Sequence, residues 1–184
     1  MESSNHLRAL AHPVRLRILS LLTGADLTAA DVARELGITH ANASYHLRLL
    51  HDAGELVVES EEKIRGGVAK RYRYDATREV ADRSSPVDDR IAYARATALE
   101  VERRLLDAGR GSGSSSDLEA WVPVEVWRRA LDLMHEASHL LHAEARPAGT
   151  AETVHVSATT NAFTMTGGLE GDAARWVPAT EERR

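Results

Sequence analysis

Between Thr28 and Gly54 the sequence spells two short helices separated by a three-residue step, and no other stretch restricts the fold as strongly. In "LTAADVARELG", Thr28 stands at an N-cap position and Gly37 where a helix stops in the left-handed conformation. After "GIT" comes "HANASYHLRLLHDAG", a helix ended by Gly54 with Ala43, Leu47 and Leu50 on its inward face. Upstream, Leu7, Leu10, Ala11, Val14, Ile18, Leu21 and Leu22 form an apolar stripe at helical spacing over residues 5–23. Pro13 interrupts that stripe, which predicts a kink or two short helices.

From Leu56 the period changes from helical to alternating. "ELVVESEEKIRGGVAKRYRYD" reads as two strands joined by a basic turn containing Gly66 and Gly67. Tyr72 and Tyr74 are expected to pack this hairpin onto the helices. Helices, a tight helix-turn-helix and a hairpin, in that order, make a winged helix. In the second part, Ser85, Pro86 and Asp88 predict a capped helix start. Val87, Ile91, Ala94, Ala98, Val101 and Leu105 follow at steps of 4, 3, 4, 3 and 4, a seam of 3.5-residue period. That seam fits intrachain packing or a dimer contact. "GRGSGSSSD" is a linker or loop, residues from about Pro123 to Ala145 form another helix, and "ETVHVSATTNAFTM" alternates as one strand. The tail after it gives no clear signal. The expected class is therefore mainly α (α+β): a winged helix-turn-helix domain over residues 1–80, then a helical dimerisation and effector region over 85–184 with a short C-terminal strand.

"ALAHPVRLRIL", "DVARELGITHANASYHLRLLHDAGELV" and "RGGVAKRYRY" stand in the order and spacing of the ArsR-type winged-helix repressors of bacteria, and residues 5–75 resemble that family. The resemblance implies a homodimer that binds a double-stranded DNA operator and represses or otherwise regulates transcription under control of an effector, and a cytoplasmic location is expected by default. The residues agree with that implication independently. A recognition helix presents its N-terminal turn to the major groove. Here that turn offers Thr39, His40, Asn42, Ser44, Tyr45, His46 and Arg48, of which Asn42 suits an adenine edge. Thr39 is also the natural N-cap, which would occupy its hydroxyl. His46 fits DNA contact and half-buried packing equally. Arg65, Lys70 and Arg71 on the hairpin suit phosphate contact, although Glu61 and Glu62 sit beside them.

Charge supports this division modestly: residues 1–78 hold 11 Lys/Arg against 10 Asp/Glu, and the rest 12 against 18. The chain has no cysteine, which excludes thiolate metal sites and cysteine nucleophiles. No run of residues is apolar enough to predict a membrane helix, and no signal peptide is expected at "MESSNHLRAL". One motif points elsewhere. "LMHEASHLLH" contains H-E-x-x-H, the helical zinc-binding signature of metallopeptidases. A peptidase needs a third ligand from another segment, and His142 lies about 10 Å along the helix axis from His135. The expectation is thus a non-enzyme without a cofactor. His135, His139 and His142 remain candidates for a regulatory metal, since some members of the resembled family sense metals through an H-x-x-H pair on interface helices. The complementary D-x-H half is missing from the helix after the hairpin.

Overall fold

The computed structural model describes residues 6–64, 67–74, 85–109, 111 and 113–165. The chain divides into two compact units, Met1–Ala108 with Glu144–Ser157, and Gly109–Ala143 with Ala158–Arg184.

In the first unit Pro13 splits the leading stripe into two helices, α1 (His6–Leu10) and α2 (Pro13–Leu22). His12 is extended and caps α2, its Nδ1 accepting from the Val14 amide at 3.1 Å, while Pro13 takes the first helical position. A two-residue strand, β1 (Leu27–Thr28), leads into α3 (Ala29–Leu36). Thr28 closes a capping box: its hydroxyl accepts from the Asp31 amide at 3.2 Å, and its own amide donates to the Asp31 carboxylate at 3.1 Å. The Thr28 hydroxyl also donates to the Asp31 carboxylate at 2.7 Å, and this bond first, then that of the Thr28 amide, holds the Asp31 carboxyl below its ordinary range. Gly37, at φ 65°, ends α3 in the left-handed region. Thr39 then caps α4 (His40–Asp52), and Gly54, at φ 77°, turns the chain into the hairpin.

Strands β2 (Leu56–Ile64) and β3 (Gly67–Tyr74) pair antiparallel, with a bulge between Val58 and Ser60. β1 pairs with the other edge of β3, Leu27 opposite Tyr72, so the sheet order is β1-β3-β2. The core beneath is Leu7, Leu10, Ile18, Leu19, Leu22, Val32, Ala43, Leu47, Leu50, Leu56 and Tyr72, with Tyr74 packed at its edge. The inward triad of α4 and the anchoring tyrosines of the hairpin are where the sequence places them.

A histidine–glutamate pair also lies inside. Glu55, in the turn between α4 and β2, is fully buried and its carboxylate meets the Nδ1 of His6 on α1. A carboxylate removed from water is tolerated only with such a partner.

Helix α5 (Val87–Leu106) packs on α1 and α2 through Tyr93, Ala96, Thr97 and Glu100. The first compact unit therefore runs beyond the residue-80 boundary expected from the sequence. Buried Glu100 accepts from Arg103 Nε at 2.9 Å, which offsets its desolvation. The N-cap of α5 is Pro86 rather than Ser85, with no side-chain cap bond; the amides of Asp89 and Arg90 donate to the Pro86 carbonyl instead. The 3.5-residue seam faces away from the core: Val87 is 63 %, Ile91 45 % and Leu105 68 % exposed, and Ala94 and Ala98 are exposed too. Behind α2, the returning segment 144–157 passes so close to Gly24 that a Cβ there would lie 2.5 Å from the Arg146 carbonyl oxygen.

In the second unit the described helix is α6 (Val124–Ala143), on which Leu131 is buried and Trp127 half-buried. The strand expected over "ETVHVSATTNAFTM" is corrected: residues 153–165 form none. Alternation supplies a one-sided apolar pattern, but a strand also needs a neighbour's backbone, and the three-stranded sheet does not include this segment. Val154 and Val156 are exposed. Among the described residues no helix is long and apolar enough to cross a membrane.

Candidate nucleic-acid interface

The geometry of α4 follows from which of its residues the core takes. Ala43, His46, Leu47 and Leu50 point inward at i, i+3, i+4 and i+7, and all four are buried. What remains outside is the first turn and one flank: Thr39, His40, Ala41, Asn42, Tyr45 and Arg48 are exposed, Ser44 half-buried. The Thr39 hydroxyl accepts from the Asn42 amide at 3.2 Å, so its capacity is used at the helix start. Arg48 lies along the helix, Nε donating to the Ser44 carbonyl at 3.3 Å. Asn42 and Tyr45 project from this face without such a tether. The turn is thus polar, protruding and fixed from behind by three apolar side chains. A rigid helix end of this kind enters a groove as a unit.

His46 must be reassigned. It is buried, 5 % exposed, with its ring 4.9 Å from that of His12 and 5.3 Å from that of Tyr45. It seats α4 against the start of α2 and does not face outward, so direct DNA contact is corrected to packing. Periodicity held the signal, because position 46 is i+3 from Ala43 and i−4 from Leu50. Arg15 joins this cluster; its Nη2 donates to the Arg8 carbonyl at 3.0 Å and its buried Nε has no hydrogen-bond partner. Burial, then the neighbouring His12, then Arg15 pull the His46 pKa below its ordinary value; burial and Arg15 do the same to His12.

A stability prediction follows with a definite sign. Both imidazoles are harder to protonate in the folded chain than in the unfolded chain, where they titrate near about 6.5. Stability is therefore complete above that value and falls as pH drops below it, toward the lowered folded values. Thermal unfolding followed at several pH values between about 7.5 and 5 should show the melting temperature falling. In His46→Leu the fall should be smaller, and since the buried Nδ1 of His46 has no hydrogen-bond partner, leucine orphans nothing there at neutral pH.

The hairpin is less cationic than its sequence suggests. Arg71 Nε donates to Glu62 at 2.7 Å, and its Nη1 donates to the Asp26 carbonyl at 3.0 Å, tying β3 to the residue before β1. Lys70 stands 3.6 Å from Glu61, and Arg73 donates to Glu59 at 3.1 Å. The Glu62 carboxylate raises the Arg71 pKa further. Lys70 and Arg71, expected as phosphate contacts, are first of all partners of the acidic strand beside them. Arg65 lies outside the described residues.

The histidines of α6 have their own local chemistry. Nδ1 of His135 lies 2.8 Å from the Leu131 carbonyl, and Nδ1 of His142 lies 2.8 Å from the Ser138 carbonyl. A carbonyl only accepts, so both rings carry the proton on Nδ1. His139 is exposed. Among the described residues no three His, Asp or Glu side chains converge as a metal-ligand set.

Residues 10–59 match the sequence model of a helix-turn-helix domain family. Over 50 residues the chain is 40% identical to the transcriptional repressor SdpR of Bacillus subtilis (strain 168), a stretch that is 27% of this chain and 56% of that protein. The chain thus spans about half the length of the curated relative it matches. Family match, capped α3, the Gly37 turn and the protruding start of α4 fall on one segment, and residues 10–59 are a helix-turn-helix domain.

Proposed function

We propose that this chain is a DNA-binding transcriptional regulator, acting as a cytoplasmic homodimeric repressor whose operator affinity an effector modulates. The observation that carries this reading is the polar, exposed first turn of α4 on a helix whose opposite face is locked into the core. Asn42 reads a base edge, Tyr45 and Arg48 contact bases or phosphate, and the hairpin lies along the backbone as a wing. The match to a repressor over the same segment supports it.

The exposed seam of α5 supports the dimer. Ala94 and Ala98 stand at its middle, Ile91 and Val101 flank them, and Val87 and Leu105 lie at the ends. A two-fold axis pairs residue i with j and j with i, and centred between Ala94 and Ala98 it would set alanine against alanine, Ile91 against Val101 and Val87 against Leu105. Two recognition helices related by that axis would meet half-sites about one helical turn apart. An effector then acts by preferring one dimer geometry, with an effect limited to its differential affinity for the two.

The reading is tested by titrating the protein against its own upstream DNA, with single-base variants of the protected site. Asn42→Ala should lower affinity for the parent site by about 1–3 kcal/mol and flatten discrimination at one A·T pair, leaving the other positions as they were. Absence of specific binding at low salt would sink the proposal.

A further inference from the structure

Helix α6 carries an apolar stripe that is largely exposed, with Ala130 half-buried. Val126, Ala130, Leu133, Ala137 and Leu140 recur at steps of 4, 3, 4 and 3, the 3.5-residue period of a helix–helix seam. Val126 is 51 %, Leu133 48 % and Leu140 63 % exposed, and Ala137 is exposed as well. The buried side lies elsewhere, since Leu131 is about 140° around the helix from the middle of this stripe.

We propose that α6 pairs antiparallel with α6 of a second copy of this chain. Two features select that occupant and orientation. With Ala130 opposite Leu133 of the second copy, two-fold symmetry also sets Ala137 opposite the second copy's Val126. Every central layer then holds one small and one large side chain, so the axes approach evenly. The same register brings Arg129 beside the second copy's Glu136, twice. Both residues are exposed, and neither has an ion pair within the chain among the described residues. A parallel pairing would stack alanine on alanine and leucine on leucine. It would also leave Arg129 beside Met134 and Glu136 beside Leu141, with no cross-helix charge pair. Charge and volume therefore choose the antiparallel arrangement together. The contact is separate from the α5 seam and does not depend on DNA binding.

Because the chain has no cysteine, introduced thiols report it directly. Differently tagged full-length Val126→Cys and Ala137→Cys chains, co-expressed and mildly oxidised, should give the mixed disulfide dimer. Either variant expressed alone should give at least about tenfold less, since like positions lie about 16 Å apart along antiparallel axes. Adding Glu136→Arg to both chains should lower the yield about tenfold, and the charge-swapped pair Arg129→Glu with Glu136→Arg should restore it. Self-linked dimers of each variant would mean parallel helices and overturn the proposal. So would the absence of any intermolecular disulfide, as when another part of the chain or a different protein covers the stripe. A Glu136→Arg chain that cross-links as well as its parent would reject the register.

Discussion

In chains whose α6 contact is already opened by Glu136→Arg, Ala98→Glu is expected to separate the dimer and to lower operator affinity by about 10²–10⁴, the advantage that two linked half-site contacts have over one. Ala98 sits beside the proposed two-fold axis at the narrowest part of the α5 seam, where only small side chains let two helices cross closely. Glutamate there would set two carboxylates against each other in a closing interface, with neither charge paired. Since Ala98 is exposed in the single chain, the monomer should keep its stability within about 0.5 kcal/mol. Sedimentation should show monomers while circular dichroism and the melting transition change little. A variant that remains dimeric and binds its operator normally would place the interface elsewhere.

The largest effect on stability is expected from His6→Ala. Glu55 is fully buried, and His6 is the ion-pair partner its carboxylate has among the described residues. Removing the imidazole strands a charge in the core, a change that costs about 3–5 kcal/mol where it has been measured in buried pairs. For a domain of this size that is a large share of the total. The double variant His6→Leu with Glu55→Leu should recover most of the loss, because two apolar side chains need no partner. Urea unfolding of the parent, single and double variants decides the matter. If the single variant loses less than about 1 kcal/mol, the pair does not hold α1 against the turn after α4.

The contrast between these two predictions shows what was legible in the sequence. Local chemistry was: the Thr28 and Thr39 caps, the left-handed Gly37, the split at Pro13 and the inward Ala43, Leu47 and Leu50 each depend on residues within one or two turns. The seam of α5 was legible as a period, and only the fold could say that it faces outward. Glu55 was invisible because its partner lies 49 positions upstream, and a glutamate after a helix-ending glycine ordinarily faces water. The ion pairs of Lys70 and Arg71 depend on strand register and a bulge, which composition does not specify. His46 was open in the sequence between DNA contact and half-buried packing, and the fold decides for packing, in line with its place between Ala43 and Leu50. The stripe of α6 runs on the face opposite His135, His139 and His142, so the H-E-x-x-H motif carries no sign of it.

The acidic strand of the hairpin has a consequence for how such a protein would find its site. Glu59, Glu61 and Glu62 neutralise Arg73, Lys70 and Arg71 before any phosphate is met. Affinity for random duplex grows with the number of cations that meet phosphates, and three of the hairpin's are already engaged by carboxylates. Residence on arbitrary sequence should accordingly be brief, with search proceeding by frequent dissociation and return in place of long one-dimensional slides. Discrimination would then rest on α4, and the population of protein idling along the chromosome would stay small.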